Sequence, residues 1–122
     1  MDTKKTLDIS REGNVAIARF TSSCICDTEE IANASACLRR YIETHRPSGL
    51  VFDFTGVRFF SSQVLGLLLE GRARLQPNGG RVAVCALNPQ LERVFRITNL
   101  DKIFVLYPDR ATAIEELFRP TG

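Results

Sequence analysis

The run Leu50-Val51-Phe52-Asp53-Phe54 is short and apolar at nearly every position. Such a run suits a strand covered on both faces, because successive strand side chains point to opposite sides. Arg81-Val82-Ala83-Val84-Cys85-Ala86 repeats the pattern. Each run is followed by apolar residues at helical spacing: Leu65, Leu68, Leu69 and Leu75 after the first, and Leu91, Val94, Phe95 and Ile97 after the second. Doubly covered strands alternating with one-sided helices define an α/β fold with a small, mostly parallel sheet.

The remaining segments extend this frame. Leu7 and Ile9, then Val15, Ile17 and Phe20, lie on either side of Glu12-Gly13-Asn14. This predicts an N-terminal β-hairpin over about residues 5–10 and 14–21. Asp27 precedes Thr28-Glu29-Glu30 and reads as a helix cap with Glu30 as its capping-box partner. Ile31, Ala34, Leu38 and Ile42 form the stripe of that helix, which ends before Pro47-Ser48-Gly49. Ser61 or Ser62 is a natural N-cap for the second helix, stopped by Pro77-Asn78-Gly79-Gly80. Asn88-Pro89 starts a third, with Asn99 as a left-handed stop. Ile103-Phe104-Val105-Leu106 reads as the last strand, and Pro108-Asp109 opens a final helix carrying Ile114, Leu117 and Phe118. The order is β-β-α-β-α-β-α-β-α, about four helices in all. Residues 1–122 are expected to form a single domain without repeat or linker, with loose ends at 1–5 and 120–122.

Composition narrows the partners. A net charge of +2 without a basic block argues against direct nucleic-acid binding. No stretch approaches the ~18–20 apolar residues of a membrane span, and no apolar signal core follows the polar start. Cys24, Cys26, Cys37 and Cys85 are too sparse for a secreted disulfide framework, so a reducing cytoplasm is the expected setting. Without a second cysteine pair, and with His45 as the sole histidine, they do not form a zinc set. Cys-x-x-Cys is absent, and no cysteine has an arginine six residues on. The cysteines therefore read as small buried or half-buried thiols. Neither a Walker lysine nor a Gly-x-Gly-x-x-Gly loop is present. The expectation is a non-enzyme with no cofactor and no metal.

Two stretches carry a resemblance. The first is Asp53-Phe54-Thr55-Gly56-Val57-Arg58-Phe59-Phe60-Ser61-Ser62-Gln63-Val64-Leu65-Gly66. The second is Gly79-Gly80, a strand, and then Asn88-Pro89-Gln90-Leu91 through Asn99-Leu100-Asp101-Lys102-Ile103-Phe104. Together they resemble the STAS domains, and in particular the anti-sigma factor antagonists, over roughly residues 50–119. The resemblance implies a SpoIIAA-like fold and a regulatory protein that binds an anti-sigma factor serine kinase. In that family the kinase phosphorylates the first serine of Asp-Ser-Ser-Gly, and a serine phosphatase resets the cycle. By position the acceptor is Ser62. The family aspartate falls on Ser61, the second serine on Gln63 and the first glycine on Val64, so the phosphorylation motif is a divergent Ser-Ser-Gln-Val version.

Ser61, Ser62 and Gln63, with Phe60 and Asp27 beside them, are the expected docking residues. Phe59 and Phe60 should point to opposite faces, leaving one as an exposed anchor. Plain N-capping is the competing account of the serine pair. The alternative function is a STAS interaction or scaffold module that is never phosphorylated, including one that senses a small ligand. A monomer or weak homodimer is expected.

Overall fold

The strand over the apolar run is the centre of the sheet. The computed structural model describes residues 7–118. Its strands are β1 (Leu7–Glu12), β2 (Val15–Phe20), β3 (Cys24–Ile25), β4 (Gly49–Asp53), β5 (Phe59–Phe60), β6 (Arg81–Cys85) and β7 (Val105–Tyr107). The helices are α1 (Thr28–His45), α2 (Ser62–Leu75), α3 (Pro89–Ile97) and α4 (Arg110–Phe118). Five strands form one sheet in the order β1-β2-β4-β6-β7. β1 and β2 are antiparallel, and β2, β4, β6 and β7 run parallel. Gly13, at φ 60°, turns the hairpin between the paired Glu12 and Val15.

β4 is buried at every position, as a doubly covered strand must be. On one face Leu50 and Phe52 pack with Leu38 and Ile42 of α1, Leu68 of α2 and Phe95 of α3. On the other, Val51 joins Val15, Ile17, Ala83 and Cys85 under Ala113 and Ile114 of α4. Gly71 lets α2 lie close to this core. A methyl group there would stand 3.1 Å from Phe52 Cζ and 3.2 Å from Leu38 Cδ2.

Three features depart from the sequence reading. A second, two-stranded sheet pairs β3 with β5 in parallel, and neither strand is in the expected element order. The last strand begins at Val105, because Asn99 at φ 62° leads into a 3-10 turn over Leu100–Lys102 that drops Phe104 into the core against Phe95, 6.5 Å between ring centroids. β1 runs on to Glu12, two residues nearer the turn than expected, while β2 lies within the expected 14–21; the expected strand start at residues 5–6 and the expected loose ends lie outside the described residues. Asp27 and Asn88 cap as expected, accepting from Glu30 N at 3.0 Å and Leu91 N at 2.8 Å. Among the described residues no helix is long and apolar enough to cross a membrane.

Candidate docking site at the start of the second helix

Parallel strands leave a crevice at their carboxyl ends, where connecting loops collect. β4 ends there at Asp53. Phe54 N then donates to Cys85 O at 3.0 Å, Gly56 turns at φ 80°, and the chain enters β5. Arg58 N and Phe59 N both donate to Ser23 O, at 2.8 and 3.2 Å. Ser61 N donates to Ile25 O at 2.9 Å, and α2 begins. The start of α2 is thus held by the carbonyls that flank Cys24.

Asp53 anchors this approach. It is 1% exposed, and each carboxylate oxygen receives two donors. Thr55 N and Thr55 Oγ1 donate to Oδ1 at 2.9 and 2.6 Å. Arg110 Nε and NH2 lie 2.9 and 2.8 Å from Oδ2. Burial alone would push the carboxyl up; the Thr55 hydrogen bonds and the Arg110 guanidinium outweigh it and hold the group below its ordinary pKa. Cys85, next to it on β6, is pushed up to about 12 by burial and by the Asp53 charge, which leaves it an inert thiol.

The five expected docking residues divide. Asp27, Ser62 and Gln63 are exposed. The starts of α1 and α2 lie side by side, joined by Thr28 Oγ1 donating to Gln63 Oε1 at 3.2 Å. Two positive helix ends therefore share one edge. Ser61 is the N-cap residue of α2, yet its hydroxyl makes no capping bond and is buried without a partner. Phe60 is the correction: it is 6% exposed and packs on Phe54 and Phe95, with centroids 5.6 and 6.3 Å apart. Its strand neighbour Phe59 faces outward at 57% exposure, since adjacent strand residues point opposite ways.

A groove of about 230 Å³ continues the surface between α1 and α2, lined by Thr28, Ile31, Ser35, Gln63, Gly66 and Glu70 among others. Glu70 binds Ser35 Oγ and pairs with Arg39 and Arg74. The cysteine reading also needs correcting. Cys24, Cys26 and Cys37 are exposed, and only Cys85 is buried. Cys24 Sγ and Cys26 Sγ are 3.0 Å apart. The i, i+2 spacing was the available signal: strand geometry puts such residues on one face, but β3 itself was not legible.

Sheet order, the hairpin edge and the helix that opens with a serine after the central strand define a small α/β domain. Residues 7–113 match the STAS domain family, and the chain belongs to that family. It is 29% identical over 111 residues to an anti-sigma F factor antagonist of Paenibacillus polymyxa, covering 91% of this chain and 93% of the relative. It is similar in structure to an anti-sigma factor antagonist from Mycobacterium paratuberculosis, at 25% identity and a TM-score of 0.81, over 93% of this chain and 94% of that one. An anti-sigma-factor antagonist (STAS) domain protein from Planctomyces limnophilus has the same fold at 21% identity and a TM-score of 0.83, over 93% and 98%.

Proposed function

We propose that this protein is an anti-sigma factor antagonist-like regulator that binds an anti-sigma factor serine kinase in the cytoplasm, with binding controlled by phosphorylation of Ser62 and reset by a serine phosphatase. The observation that carries the reading is the exposed Ser62 at the first position of α2, beside exposed Phe59 and Gln63 on one edge. The name of the Paenibacillus polymyxa relative supports it.

The local physics suits a binary switch. The first backbone N–H groups of a helix lack intrahelical partners, and its dipole favours an anion by ~0.3–1 kcal/mol. The first turn of α2 contains no acidic residue to oppose one. A phosphate on Ser62 therefore leaves the fold intact and acts on the partner, adding about −1.5 to −2 charges to the docking edge. Phe59 supplies the apolar anchor and loses little when truncated in the free protein, since it is outside the core.

Incubation with ATP and an anti-sigma factor kinase, followed by intact mass and titration calorimetry, tests the reading. One phosphate on wild type and none on Ser62→Ala is expected. Ser62→Asp and Phe59→Ala should each weaken kinase binding at least tenfold with unfolding midpoints unchanged. Tight binding without any mass gain would favour the never-phosphorylated module, for which Ser61 in place of the family aspartate speaks. Absence of both binding and mass gain refutes the kinase reading.

A further inference from the structure

Cys24 and Cys26 are exposed, two residues apart, with sulfurs 3.0 Å from each other. A disulfide brings sulfurs to about 2.05 Å, so roughly 1 Å of closure separates the pair from bonding. The peptide between them belongs to β3, and its Ile25 carbonyl accepts the Ser61 N–H that starts α2. Ser22 braces the same segment: its hydroxyl donates to Cys24 O at 3.0 Å and accepts from Cys24 N at 3.3 Å.

We infer that Cys24 and Cys26 form a reversible dithiol–disulfide couple, oxidised by peroxides, that loosens the start of α2 when the disulfide closes. Oxidation begins from the thiolate form of one cysteine of the pair, here Cys24, since the thiolate is the attacking species. That thiolate attacks a peroxide oxygen, the O–O bond breaks, and the leaving oxygen departs as water after protonation. Cys24 is then a sulfenic acid. The Cys26 sulfur displaces its oxygen as a second water. Two thiols and one hydrogen peroxide give one disulfide and two waters. In a reducing compartment a bond of this kind is transient and serves sensing rather than stability.

Closing the bond draws Cys26 back over Ile25 and turns the Ile25 carbonyl off its line to Ser61 N–H. The β3–β5 ladder is only two residues long on each side, and the Ser22 and Ser23 contacts hold the Cys24 end, so the change falls on the Ile25 carbonyl. The consequence for partner docking rests on the proposed function of the α2 start; the disulfide and its local effect do not.

The full chain is treated with hydrogen peroxide, denatured, alkylated with iodoacetamide and analysed by intact mass and peptide mapping. Wild type should lose two hydrogens and two alkylation sites, mapped to Cys24 and Cys26 and restored by dithiothreitol. Cys37→Ser should behave as wild type, and Cys24→Ser and Cys26→Ser should form no internal bond. Hydrogen exchange on the oxidised protein should show at least tenfold faster exchange at the Ser61 amide, absent in peroxide-treated Cys24→Ser. Full alkylation after excess peroxide, separate oxidation of both thiols to sulfinic acids, or cross-linking through Cys37 overturns the couple. A disulfide with unchanged Ser61 exchange overturns the link to α2. Neither readout uses a partner, so failure here and failure of kinase binding are separate results.

Discussion

Arg110→Ala removes both donors from Asp53 Oδ2 and leaves a carboxylate that is 1% exposed with only the Thr55 donors on Oδ1. Breaking a buried ion pair from one side costs ~3–5 kcal/mol. The Arg110 side chain is 38% exposed, so water can reach the vacated oxygen, which places the loss near the lower end, about 3 kcal/mol. With a urea m-value of ~1.5 kcal/mol/M, the unfolding midpoint at pH 7 falls by roughly 2 M. Circular dichroism through a urea titration reads this directly.

The pH dependence supplies an internal control. The folded-state pKa of Asp53 lies below its ordinary value of 3.8. Its contribution is therefore fully present above the unfolded pKa and is lost as pH falls through the folded one. Without the guanidinium, burial is opposed only by Thr55 and the folded pKa rises. The gap between wild type and variant should narrow as pH falls through that raised pKa and close below the wild-type one. In an Asp53→Asn background, Arg110→Ala should cost much less than it does alone. A pH 7 loss under ~0.5 kcal/mol, or a gap indifferent to pH, refutes the assignment of Arg110 as the latch on β4.

Two further outcomes follow from the packing. Ser61→Ala should raise stability by up to ~1 kcal/mol in thermal unfolding, because a buried unpaired hydroxyl is removed and no capping bond is lost; the ~1 kcal/mol loss typical of an N-cap serine would show that the hydroxyl does cap α2. Gly71→Ala should lose ~1 kcal/mol, as contacts of 3.1 and 3.2 Å to Phe52 and Leu38 exceed the helical gain of alanine, whereas Gly66→Ala, with nothing within 4 Å, should gain ~0.5–1 kcal/mol. Equal effects at the two glycines would show that α2 can shift off the sheet at no cost.

The architecture was readable because it depends on periodicity. The unbroken run at residues 50–54 announces a doubly covered strand, and the capping residues Asp27 and Asn88 act within three residues of themselves. Such signals survive without knowledge of any distant contact. The last strand was misplaced by its N-terminal residues for the opposite reason. Ile103 and Phe104 are as apolar as a strand, and only the docking of Phe104 on Phe95 decides that they turn instead.

The docking edge shows the same division. By itself the sequence determined that a serine pair opens the helix after the central strand, and the family resemblance marked Ser62 as the one to watch. It also established that Phe59 and Phe60 face opposite ways. Which of them faces out was decided by the pairing of β3 with β5, which turns Phe60 onto Phe54 and Phe95. That Ser61 is held through its backbone by Ile25 while its hydroxyl is buried and unpaired was likewise a tertiary outcome. So were the contact between Cys24 and Cys26 and the closing of Asp53 onto Arg110. Local pattern encodes which face of an element is apolar. Which distant group meets that face depends on how the whole chain packs, and no short window of residues contains that information.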